Sequence, residues 1–217
     1  MLTFDLIGKC AGIVLCNDYL SLRQMHRIVH DANERSDTIR DKEGFLLTLA
    51  YDLRKAYEGQ RSTAGPDHAP PESGPRFGVE ILWPTFLIQV RLLREALAFM
   101  VHTKEHQAVV FELEFLAEQA IEAEFKDKAA EIKREWESLA GNHRFMEATG
   151  ETRVAQFAAW NEKQRRDGLA GLLTSMNSMY AVIYPHWLQT GVSKKRHLIA
   201  PEDFEVWKER EFPDPQI

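Results

Sequence analysis

Cysteine is scarce: Cys10 and Cys16 are the only two in 217 residues. Five residues separate them, which is neither a CxxC redox pair nor a paired zinc knuckle. They flank the apolar run AGIVL, so buried free thiols in a reducing compartment are expected. Excess positive charge is also missing. Lys plus Arg number 27 against 33 Asp plus Glu, a net charge of −6, so the chain lacks the general field that duplex binding draws on. No stretch reaches the roughly eighteen uncharged residues of a membrane helix. The run from Ala11 to Cys16 is too short for a signal-peptide core, and Asp5 precedes any lysine. A cytoplasmic protein without membrane contact is expected. Glycine-rich nucleotide loops, the G-x-S-x-G elbow and H-E-x-x-H are all absent, which removes the best support for dinucleotide oxidoreductases, P-loop nucleotide hydrolases and common serine hydrolases.

What remains is an ordinary globular composition, 44% hydrophobic and 28% charged. A chain of this length buries around 70% of its unfolded surface and folds without staples. The expectation is a single α+β domain over residues 1–217. Its N-terminal half (1–103) holds a small antiparallel sheet packed with helices, and residues 104–217 are helical. Leu2, Phe4 and Leu6 alternate with polar residues, residues 8–12 turn, and Ile13-Val14-Leu15 returns as a second strand. A helix starts at Asp18 or Ser21 and carries Leu22, Met25, Ile28 and Val29, with Arg23, His26, Arg27 and His30 around them. Residues 33–42 read as a loop and 43–58 as a second helix stopped by Gly59. Residues 62–78, with four prolines and three glycines, read as a flexible surface loop. A strand over 79–83 feeds a helix through Pro84, and the sequence leaves open whether that helix bends or breaks near Thr103. A long helix to residue 140 carries Phe125, Ala129, Ile132, Trp136 and Leu139 at four-three spacing. Another spans 152–183, bent by Gly168 and Gly171 and ended by Pro185. A short helix near Phe204 and Trp207 closes the chain.

The densest constellation is YDLRKAYEGQR, residues 51–61. On a helix Arg54 meets Glu58 and Asp52 meets Lys55, while Arg61 follows a C-terminus that favours cations. Two guanidiniums, a lysine and a phenol suit a phosphate or carboxylate. Solvated ion pairs on a surface helix are the plainer account.

This run, followed about twenty residues later by GVEILWPTFL, resembles an uncharacterised bacterial protein family, a domain of unknown function. Its members carry a YDxRHAY run with glycine and arginine behind it, and an ILWP strand end followed by glutamate. AGIVLCNDYLSL resembles that family's N-terminal hairpin and first helix. The resemblance covers about the first hundred residues and implies no activity. Lys55 stands where the family has histidine and Thr85 where it has glutamate. Were those two an acid–base pair, this chain would lack both, which weakens an enzyme reading.

Other motifs carry less. His102 to His106 matches H-x-x-E-H, but the helix that would supply a third zinc ligand offers only Asn177 and Tyr180. The glutamates between 112 and 124 lack the Glu-x-x-His of a di-iron site; Glu122 with Lys126 and Glu124 with Lys128 form solvated pairs instead. No metal and no cofactor is expected. The basic clusters Lys163-Gln164-Arg165-Arg166 and Lys194-Lys195-Arg196-His197 lack any nucleic-acid-binding signature, so nucleic acid is not an expected partner.

The sequence assigns no function and leaves enzymatic activity open. Its leading reading is a cytosolic interaction or regulatory protein without catalysis that self-associates as a homo-oligomer through its helical seams. The alternative is a small-anion site or enzyme between the second helix and the strand end. There Asp52 or Glu58 is the acid–base group, Arg54 and Arg61 hold the anion, and Tyr57 and Trp83 stack.

Overall fold

The computed structural model describes residues 2–61, 63–64, 75–139, 143–208, 210 and 213. Strands β1 (Thr3–Ile7), β2 (Gly12–Asp18), β3 (Thr63–Ala64) and β4 (Arg76–Leu82) form an antiparallel sheet in the order β1-β2-β4-β3. Thr3 lies opposite Cys16 and Ile7 opposite Gly12, while Gly12 also lies opposite Leu82. The β1–β2 turn places Lys9 at φ 58° and Cys10 at φ 51°, the left-handed pair that matches the twist of a tight hairpin. Gly12 is required by close approach: a Cβ there would sit 2.0 Å from the Ile81 carbonyl oxygen.

The fold is α+β, with nine α-helices among the described residues. Helix α1 (Tyr19–Arg35) starts at Asp18, whose carboxylate accepts from the Ser21 amide at 2.9 Å, satisfying an otherwise orphaned donor. Helix α2 is Phe45–Tyr57 and α3 is Trp83–Ala98, with proline in its first turn. Buried α3 side chains surround its axis, from Trp83 and Phe86 to Leu93 and Leu97, so α3 is the central helix rather than a surface one. The chain breaks at Thr103, the N-cap of α4 (Lys104–Phe125). Ile39, in the connection after α1, is buried with the core.

The long helix read to residue 140 is two. Lys126 has φ 43°, which ends α4 and starts a short 3₁₀ turn (Lys126–Lys128) before α5 (Ala129–Glu137). The stretch read over 152–183 is three: α6 (His143–Ala158), α7 (Glu162–Thr174) and α8 (Tyr180–Gln189). A capping box on Asn161 and Gln164 starts α7. Pro185 lies inside α8, because that helix begins only at Tyr180. Gly168 and Gly171 do not bend α7. A Cβ on the first would meet the Trp160 ring at 2.7 Å, and on the second the His197 carbonyl at 2.6 Å; both are close-packing positions. A four-residue helix α9 (Val192–Lys195) and a 3₁₀ turn over Pro201–Trp207 complete the chain.

Of the 62–78 loop, residues 62 and 65–74 lie outside the described residues, and Arg76, Phe77 and Gly78 belong to β4. The seam of Phe125, Ala129, Ile132, Trp136 and Leu139 is buried within the chain, as are Leu169, Leu172 and Met176. Trp136 donates its indole N–H to the Leu87 carbonyl at 2.9 Å. These seam residues therefore pack against the chain's own core.

Candidate functional site

The face of α1 opposite its buried stripe is polar and follows helical spacing: Arg23, Gln24, Arg27, His30, Asp31 and Glu34. Helix α2 packs alongside, burying Leu46, Leu49, Leu53 and Ala56, so its Arg54 and Tyr57 come to face that ridge. Between them lies an open groove of about 930 Å³, bounded at one end by Glu105 from the start of α4. A smaller cleft of about 380 Å³, lined by Thr48, Ala50 and Tyr51, shares His26, His30 and Arg54 with it.

At the groove's centre the Tyr57 hydroxyl lies 3.4 Å from His26 Nδ1, within reach of an O–H···N bond. The rings of His26 and Tyr57 meet edge to face at 5.8 Å, and Tyr19 meets Tyr57 likewise at 5.4 Å. Burial holds His26 below the usual imidazole range, and His30 and Arg54 push the same way against Glu58. Burial also raises the Tyr57 phenol, helped by Glu58 and Tyr19. At neutral pH this centre is a neutral imidazole beside a neutral phenol, able to donate and accept without carrying charge.

Charge comes from the arginines, and most nearby acids are already engaged. Glu105 accepts from Arg27 and from Gln24. Asp31 accepts from Arg35 at 2.8 Å and meets His106 Nε2 at 2.9 Å. Arg23 and Arg54 form no ion pair among the described residues. Arg54 rests its guanidinium 5.1 Å from the Tyr51 ring centre.

Of the residues singled out in the sequence, Arg54 and Tyr57 line the groove. Asp52 and Arg61 pair with each other, so the expected Asp52–Lys55 pair does not form, and Lys55 lies over Tyr51. Glu58 caps α2 and is exposed outside the groove lining. Trp83 is fully buried, edge to face with Phe125 at 5.3 Å. It anchors α3 in the core and cannot stack on a ligand in the groove. Arg23, His26 and His30 complete the site instead. Their signal was a polar α1 face with a cation or imidazole at nearly every turn.

The remaining motifs resolve into structure. His102 precedes α4, so it shares no helix face with His106. His106 instead forms a capping box with Thr103, 2.8 Å from its hydroxyl. Among the described residues no group of three or more His, Cys, Asp and Glu could hold a metal ion. Glu124 accepts from the Cys10 thiol and Glu122 pairs with Lys133, while Lys128 reaches Asp167. The positive φ of Lys126 takes both lysines off the α4 face. Cys10 and Cys16 are free and buried. Burial, reinforced by Glu124 for the first and Asp5 for the second, pushes each thiol up to about 11, so neither is a thiolate at neutral pH. The basic clusters are also partly spent. Arg165 is fully buried, and Arg196 pairs with Glu135 at 2.7 Å. No helix among the described residues is long and apolar enough to cross a membrane.

The model of one family, a domain of unknown function (DUF6904), matches residues 7–214. No curated protein and no solved structure matches the chain. The family match runs through the C-terminal helices, well past the first hundred residues that hold the YDLRKAYEGQR and ILWP motifs. Spanning nearly its whole length, that match means the chain belongs to the DUF6904 family.

Proposed function

We propose that the α1–α2 groove binds a small ligand through an anionic group, a phosphate or a carboxylate, held by Arg23 and Arg54. The observation that carries this reading is that both guanidiniums face one groove and neither has an acid partner among the described residues. Guanidinium forks are suited to two-oxygen recognition of such groups. Tyr57 and His26 supply neutral hydrogen bonds between them, and about 930 Å³ is a volume that a nucleotide-sized molecule fills. Two buried free thiols support a reducing, cytosolic setting.

Thermal shift and titration calorimetry with inorganic phosphate, pyrophosphate, nucleotides and di- and tricarboxylates test the reading. At least one of them is expected to raise the melting temperature of the chain and to lose that effect in Arg23→Ala and Arg54→Ala. An Arg54→Ala protein that folds and keeps every ligand response overturns it.

A further inference from the structure

Helix α4 buries one side against the core through Val109, Val110, Leu113, Leu116 and Ala120. On its outer side Lys104, Ala108, Phe111, Phe115, Glu118 and Glu122 are exposed. Their spacing alternates four and three along the helix, the spacing of a helix-pairing seam. Phe111 is 59% and Phe115 55% exposed, in a chain that otherwise buries most of its large apolar side chains. The pattern is symmetric about Leu113. Phe111 and Phe115 lie two residues to either side, Ala108 and Glu118 five, Lys104 and Glu122 nine.

We propose that this face of α4 pairs antiparallel with the same face of a second copy, about a two-fold axis level with Leu113. A two-fold contact demands a self-complementary patch, in which residue i meets j and j meets i. Here Phe111 meets the second copy's Phe115, and the reverse, giving four aromatic rings at the centre. Ala108 meets Glu118, its small side chain leaving room for the glutamate stem. At the ends Lys104 meets Glu122, opposite charges at both ends of a seam about 27 Å long. A parallel pairing would set Glu118 on Glu118, Glu122 on Glu122 and Lys104 on Lys104, so charge selects the antiparallel arrangement.

The borders of the seam are consistent with it. Arg94 lies 4.4 Å from the Phe111 ring centre and pairs with Glu114, while Glu112 accepts from the Leu2 amide at 2.8 Å. The acids beside the two rings are thus already engaged. Glu122 contacts Lys133 of its own chain while remaining 60% exposed, and Lys104 forms no ion pair among the described residues. The contact is short, so the dimer forms reversibly with concentration rather than as an obligate unit.

Sedimentation equilibrium on the full chain tests this. The mass is expected to rise from the 25.0 kDa chain toward twice that value as concentration increases. Phe111→Glu, at an exposed position, is expected to weaken association by about tenfold or more with an unchanged circular dichroism spectrum. Lys104→Glu and Glu122→Lys each place like charges at both ends of the seam and weaken self-association. Mixed together, the two variants regain complementary ends and associate with one another. A chain mass at every concentration overturns the proposal, as does a Phe111→Glu protein that associates like the parent. A mixture that associates no better than its components overturns the antiparallel pairing.

Discussion

Two sets of arginines divide the molecule. In the C-terminal layer Arg165 is fully buried, and its guanidinium donates to the carbonyls of Phe157 at 3.3 Å, Ala158 at 2.9 Å and Lys9 at 3.5 Å. Arg153, also buried, donates to Ser175, Thr152 and the Ser175 carbonyl, with its guanidinium 3.9 Å from the Phe204 ring centre. Burial lowers it to about 10, so it stays charged at neutral pH. In the N-terminal layer Arg23 and Arg54 stand over an open groove with no acid committed to them among the described residues. The contrast separates cations that hold the fold from cations held by it. Arg165 spends its donors on the end of α6, where the last helix carbonyls have no partner inside the helix. Arg54 spends its guanidinium on the Tyr51 ring and on no carboxylate among the described residues.

Breaking that contrast begins at the buried end. Arg165→Met takes the guanidinium donors from the Ala158 and Lys9 carbonyls, while the Phe157 carbonyl keeps the Trp160 amide, and is expected to cost about 3 kcal/mol in urea denaturation. A loss no larger than that of a surface substitution would put Arg165 with the spare cations instead. Next comes Gly171→Ala, which drives a methyl toward the His197 carbonyl and is expected to cost about 1–3 kcal/mol, visible as a lower melting temperature. Smaller again is the double variant Arg23→Ala/Arg54→Ala, expected to stay within about 0.5 kcal/mol of the parent while abolishing the anion response. A large loss there would return both residues to the architecture.

The smallest effect is in pH. Because burial holds His26 below its unfolded value, the folded chain binds fewer protons than the unfolded one once pH falls below about 6.5. That contribution to stability is present at neutral pH and is lost as pH drops through the imidazole range. His26→Asn should flatten that part of the stability–pH profile. An equally steep profile in the variant would assign the dependence to another group.

Much of the N-terminal half was legible because its signals are local. Asp18 capping α1 and Pro84 opening α3 each depend on neighbours a few residues away, whereas the sequence leaves the break at Thr103 undecided. The C-terminal breaks were not. Periodicity continued smoothly through Lys126 and Asn161, and only the backbone angle at the first, which ends α4, and the reciprocal cap at the second, which starts α7, mark the breaks. Arg165 read as part of a surface cluster because nothing adjacent shows that the α6 terminus and the β1–β2 turn converge on it. The candidate site was half visible for the same reason. Arg54 and Tyr57 share a helix and stood out together, whereas Arg23 and His26 reach them only through the packing of α1 on α2. Trp83 looked available because an aromatic at a strand end is often a ligand platform; here it is the first residue of the most buried helix.

The Arg165 contact also bears on how the chain is made. Lys9, whose carbonyl it holds, leaves the ribosome 156 residues earlier. At elongation rates of about 5–20 residues per second that interval is about 10–30 s. Throughout it the left-handed Lys9-Cys10 turn exists without its guanidinium clamp, whereas Glu112 of α4, which receives the Leu2 amide, is made well before Arg165. The turn of the hairpin is therefore clamped later than its strands, because β4, which pairs with β2 along its whole length, ends at Leu82.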